Sequence, residues 1–165
     1  MFNAYTRVLL GIGSALVPLV ALGSASGTCT AGKDKTTIVD GVIYKTPNVF
    51  DETKPNIIVE LAAAKLDAAK VAAAEDPEVE VNHQLHAASL AGHLRITIGD
   101  GAVTRYFVYL PPGSNETHFG SNNFGELKLS RNDAKGTAGH FAFKGKASDD
   151  ASCDVSFDLS YPKGK

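Results

Sequence analysis

The sequence holds no G-x-S-x-G elbow, no G-x-x-x-x-G-K-[ST] phosphate loop, no G-x-G-x-x-G after a strand and no H-E-x-x-H pair. Each of these chemistries needs its residues at a fixed spacing, so the absences count against nucleophile-elbow hydrolases, phosphate-loop nucleotidases, dinucleotide enzymes and zincin-type proteases. A surplus of cations is also missing: 16 basic side chains face 18 acidic ones. Nothing in that balance draws the chain to nucleic acid or to anionic membranes, and nucleic acid is excluded as an expected partner. Cysteine is scarce, with Cys29 and Cys153 the only two.

What is present begins with a leader. A single cation, Arg7, precedes the uncharged run from Val8 to Gly23, about 16 residues long and interrupted by Pro18. That layout is a signal peptide's. The run falls short of the roughly 20 residues a membrane-spanning helix needs, so no transmembrane anchor is expected after cleavage. Gly23-Ser24-Ala25 offers small residues at the peptidase's recognition positions, and a cut after Ala25 leaves 140 residues. The division expected is therefore a leader over 1–25 and a single β-rich domain over 26–165.

An exported chain meets a compartment that permits disulfides, and Cys29 and Cys153 are expected to be bridged. Lipid attachment at Cys29 is the competing reading. Thr28 stands before it, where lipoprotein signals carry Gly, Ala or Ser, and Cys153 would then be left unpaired.

Along the rest of the chain the patterning is mostly of period two. Ile38-Val39 and Val42-Ile43-Tyr44 flank Asp40-Gly41, a sign of a tight hairpin or a bulged strand. His93 to Ile98 turns through Gly99-Asp100-Gly101 into Ala102 to Leu110, a second hairpin. Leu127 and Leu129 open a further strand, the turn at 132–136 follows, and Phe141 and Phe143 face inward on the return. In the last strand Cys153, Val155, Phe157, Leu159 and Tyr161 alternate with Asp154, Ser156, Asp158 and Ser160, one face apolar and the other wet. One stretch differs. Between Pro55 and Pro77 the residues Ile57, Leu61, Ala64, Ala68 and Val71 recur at helical spacing in an alanine-rich segment, which predicts an amphipathic helix over about 55–75. Val79, Val81, His83 and Leu85 then alternate with Glu80, Asn82, Gln84 and His86, which predicts a strand. The expected fold is mainly β, an antiparallel β-sandwich or partly open barrel with that helix packed on it.

Candidate chemistry is sparse. His83 and His86 form an H-x-x-H that chelates a metal on a helix but diverges on a strand. His93 and His140 each face outward on a predicted strand and would make a weak metal pair if those strands were neighbours, although two imidazoles without a placed carboxylate or thiolate do not complete a site. Asp154 and Asp158, with Ser156 and Ser160, line one strand face with oxygens, which diverge rather than wrap a calcium ion. No cofactor is called for.

The segment Pro111 to Gly125 carries the most information about function. Its 15 residues have no apolar periodicity and include Asn115, His118, Phe119, Asn122, Asn123 and Phe124. Long loops of this kind in small domains are functional or disordered. Phenylalanines in so polar a setting either plug the sandwich or offer rings to a sugar or protein surface, with the amides supplying adaptable hydrogen bonds. Asn115-Glu116-Thr117 also fits the N-glycosylation acceptor pattern. The expectation is an exported, non-catalytic protein- or glycan-binding module using this loop. The alternatives are an extracytoplasmic hydrolase or metal-dependent enzyme, and a structural envelope or surface component.

Overall fold

Alternation decides most of the architecture. In the last strand Cys153, Val155, Phe157 and Leu159 are buried while Asp154, Ser156, Asp158 and Ser160 are exposed, as a sheet with one wet face requires. The structure, a computed structural model, describes residues 23–31, 33–48, 51, 53–89, 91–109, 125–145 and 151–162. Its elements are β1 (Ser24–Ala31), β2 (Asp34–Ile38), β3 (Asp40–Thr46), β4 (Asn56–Ala62), α1 (Ala68–Ala73), α2 (Pro77–Ala87), β5 (His93–Gly99), β6 (Ala102–Tyr109), β7 (Glu126–Asp133), β8 (Gly136–Lys144) and β9 (Ala151–Ser160).

The strands form two antiparallel sheets, one of five strands in the order β2-β1-β9-β8-β7 and one of four in the order β3-β4-β5-β6. Their inner faces meet in the main core, where Phe141, Phe157, Val155 and Leu159 of the larger sheet pack with Val59, Leu61, Leu94, Ile96 and Tyr106 of the smaller. A second apolar cluster lies on the outer face of the four-stranded sheet. There Val42, Tyr44, Ile58 and Ala62 meet Val71 of α1 and Val81 and Leu85 of α2. The molecule is thus a β-sandwich with a small helical layer on one outer face, and the expected mainly β fold class holds.

Only the second half of the helix expected over 55–75 is helical: α1 (Ala68–Ala73) lies inside it and buries Val71. Asn56–Ala62, expected as the first half of a helix, is strand β4, pairing with β3 and β5. Residues 58–62 are all buried, because β4 has the main core on one side and the helical layer on the other. A strand covered on both faces shows no alternation, and its apolar residues fit a helical stripe by coincidence. The residues expected as a strand after Pro77 form α2. Asp76 caps it by accepting from the amides of Glu78 and Val79, Pro77 occupies the first turn, and only Val81 and Leu85, four apart, are buried. Pro77 starts a helix rather than ending one.

Two turns resolve differently. Asp100 (φ 50°) and Gly101 (φ 80°) close β5 onto β6 through left-handed backbone, the geometry of a tight hairpin. Asp40-Gly41 is no hairpin: β2 belongs to the five-stranded sheet and β3 to the four-stranded one, so the chain changes sheets at Val39. Asp40 stabilises the change by accepting from the amides of Gly41 (2.9 Å) and Leu66 (3.1 Å). At the other end of the expected leader, β1 starts at Ser24, two residues before the expected cut, with Ser24 opposite Asp158 and the buried Ala25 opposite Phe157.

Candidate functional site

Cys29 and Cys153 stand directly opposite each other on β1 and β9, with Cα atoms 4.1 Å apart, and they are disulfide-bonded within the main core. The bridge suggests an oxidising, extracytoplasmic compartment. A sulfur engaged in it is not available to carry a lipid. No helix of the described residues is long and apolar enough to cross a membrane.

The two imidazoles that would have met on neighbouring strands do not meet. His140 is on β8 of the five-stranded sheet and points away from the core, while His93 is on β5 of the four-stranded sheet, on the face toward the helices. Both sheets separate them. His140 instead meets Asp154 of the adjacent strand, Nε2 to Oδ1 at 2.9 Å, and Asp158 meets Arg131 at 2.5 Å. Each acid of the last strand therefore has a cationic or imidazole partner across the ladder, an exposed pairing of small energetic weight. His93 is largely buried. Burial holds its imidazole down at about 4, opposed by its contact with the Ala91 carbonyl and reinforced by Arg95, so the ring is neutral at pH 7.

His83 and His86 sit on a helix after all, within one turn of α2, and both are exposed. No group of three or more His, Cys, Asp or Glu side chains placed to hold a metal occurs among the described residues. The loop candidates Asn115, His118, Phe119, Asn122, Asn123 and Phe124, with the sequon at Asn115, lie outside the described residues. The two ends of that connection are described. It leaves β6, the outermost strand of one sheet, and enters β7, the outermost strand of the other. Gly125 (φ 74°) sets the entry, where a side chain would strike the Ala142 carbonyl at 2.6 Å.

The most unusual chemistry is one the sequence reading missed. Glu60, in the middle of β4, is 0% exposed and faces the helical layer. Its Oε1 accepts from the Tyr44 hydroxyl at 3.1 Å and from Nε of Arg95, which stands opposite it on β5. Its Oε2 has no hydrogen-bond partner among the described residues. The Arg95 side chain is 11% exposed and also reaches Glu78 in the first turn of α2, Nη1 to Oε1 at 2.5 Å. Burial raises the Glu60 carboxyl to about 7 against the attraction of Arg95 and the Tyr44 hydrogen bond, and burial with Glu60 beside it raises the Tyr44 phenol. The cluster joins a proton-binding group to the underside of a helix. A groove of about 650 Å³ between α1 and α2 is lined by Lys65, Asp67, Lys70 and Gln84, and Glu60 is not among its walls.

A lone glutamate in NIIVELA, inside the segment expected as an amphipathic helix, falls outside the apolar stripe and looks solvent-facing. The signal that would have found the cluster is the register that puts Arg95 opposite it, which sequence alone does not provide. The chain matches no protein-family model, and no curated protein or solved structure shows significant similarity to it.

Proposed function

We propose that this protein is exported to the periplasm, cell surface or extracellular space and binds a protein or glycan surface through the connection 111–125. One observation carries the reading: a 15-residue polar segment with two phenylalanines joins the outermost strands of the two sheets. Its ends are anchored by rigid scaffold, the arrangement in which loops take on recognition. Replacing Phe119 and Phe124 together with Ala is expected to lower capture on a glycan array or by an extracellular partner at least tenfold and to shift the thermal midpoint by no more than a few degrees. A large loss of thermal stability with capture unchanged would make the rings plugs of the sandwich and overturn the reading. The metal-enzyme alternative is weakened by the separation of His93 from His140 on different sheets.

Export carries its own processing step. A cut after Ala25 would remove Ser24 and Ala25 from β1, losing the pairs with Asp158 and Phe157 and a buried side chain. A cut after Gly23 places Ala21 and Gly23 at the recognition positions and leaves β1 whole. The intact mass of protein purified from its own host is expected to correspond to a chain starting at Ser24, heavier by two hydrogens after reduction. A start at Ser26 would keep export and move the cut; a chain still carrying Arg7 would remove the export reading.

A further inference from the structure

The Glu60 cluster binds two parts of the fold together with mismatched charge. Arg95 is the one cation among the three ionised groups in direct contact there, and Glu60 and Glu78 are the two acids. With both acids ionised the cluster carries one negative charge in excess, and that charge sits on the fully buried carboxylate with one oxygen unpartnered. With Glu60 protonated, Arg95 and Glu78 neutralise each other and the buried excess is gone.

The rest of α2 is held by a small apolar contact and by Gln84, whose Oε1 accepts from the Asp67 amide at 2.7 Å. In α2 only Val81 and Leu85 are buried, Val79 is 47% exposed, and α1 adds the single buried Val71 to the same layer. Glu78 sits at the N-terminal turn, so its contact with Arg95 is the polar tie between the start of α2 and the sheet. Through Arg95, the first turn of α2 is joined directly to the buried carboxylate.

We propose that Glu60, Arg95 and Glu78 form a proton-governed latch, closed on α2 when Glu60 is protonated and loosened when Glu60 gives up its proton. The buried acid is the switch, Arg95 the arm and Glu78 the catch. Release of the N-terminal turn hydrates the Glu60 carboxylate, and this gain is available only to the ionised form, so opening and proton loss favour each other. The elevated carboxyl of Glu60, raised by burial, places the change near neutral pH.

Other groups face the cluster and enter the balance. From β3 comes Tyr44, whose phenol is raised and stays protonated throughout. From β5 comes His93, two residues from Arg95 along the same face and held neutral. From α2, Glu80 is bonded to Gln84 at 2.9 Å rather than to Arg95. Because His93 titrates in the opposite sense, the test must isolate Glu60.

Hydrogen exchange in the wild-type mature protein and in Glu60→Gln, at pH 5 and pH 8 with rates corrected for intrinsic exchange, does so. The amides of residues 80–85 are expected to exchange through an opening that low urea does not accelerate. In wild type that opening should be about tenfold or more frequent at pH 8 than at pH 5, relative to the same ratio in Glu60→Gln. Glu78→Gln, which removes the catch and leaves the switch, should open at pH 5 about as often as wild type does at pH 8. The proposal is overturned if wild type and Glu60→Gln show the same pH ratio. It is equally overturned if α2 exchanges only together with β9 in a urea-accelerated event, because the helix then has no opening of its own.

Discussion

Replacing Arg95 with Met is expected to cost about 3–5 kcal/mol of folding stability at pH 8 and about 1 kcal/mol less at pH 5. The asymmetry follows from what is left behind. Glu60 is fully buried, and Arg95 is its cationic partner among the described residues; without the guanidinium the carboxyl must hold its proton well above neutral pH, at a cost that grows as pH rises. At pH 5 Glu60 is protonated, and what is lost is its hydrogen bond from Arg95, the tie to Glu78 and the packing of the Arg95 stem. The wild-type background sets the scale. Glu60, raised in the fold to about 7, contributes stability that is fully present below its unfolded value and is lost as pH rises through 7. His93, depressed in the fold to about 4, contributes stability present above its unfolded value and lost as pH falls through 4. Between these limits the two slopes oppose each other, and the wild-type stability curve is flatter than either alone would make it. Urea denaturation at the two pH values measures this. A second change, Glu60→Leu in the Arg95→Met background, is expected to recover most of the loss at pH 8, since an apolar pair of similar volume is tolerated where a buried carboxyl without its cation is not. Equal losses at both pH values would mean that Arg95 acts through the packing of its stem.

The same cluster shows where reading from sequence stops. β9 was legible because one of its faces is wet: Asp154, Ser156 and Asp158 advertise the alternation that places Val155, Phe157 and Leu159 in the core. The hairpin at Asp100-Gly101 was legible because left-handed backbone needs such residues. β4 was not, since Ile58, Val59, Leu61 and Ala62 are buried on opposite faces and carry no period. α2 was misread for the converse reason. Glu78-Val79-Glu80-Val81 alternates as a strand does, yet Val79 is exposed and the start signal is Asp76-Pro77 with acids in the first turn. The site depended on these errors. With 55–75 taken as one helix, Glu60 falls on a surface element and Arg95 on a strand that never meets it. Cys29 and Cys153 escaped the difficulty, because a chain with two cysteines leaves one intramolecular pairing.

Removing that pairing, by changing Cys29 and Cys153 together to Ala, is expected to destabilise the protein by about 2–5 kcal/mol. The bridge spans a sequence separation of 124, and in the chain-entropy model a closed loop of that size is worth about 5 kcal/mol through the unfolded state. Its position makes the figure credible. β9 is the central strand of the five-stranded sheet and β1 lies beside it, so the bridge pins the longest-range pairing in the sheet order, one whose closure entropy an unbridged chain must meet before the main core can form. Both sulfurs are buried, and their loss also leaves a gap beside Phe143, which stands opposite Cys153 on the neighbouring β8. The urea midpoint of the oxidised protein against the double variant gives the stability change, and stopped-flow refolding assigns it. Most of the loss should fall in the refolding rate if β1 and β9 pair early. A loss below about 1 kcal/mol would mean that the unbridged chain already holds its two ends together, and the entropy account would fail. In a reducing cytosol the same deficit would apply to the native sequence, which makes an oxidising compartment part of the fold's own energetics.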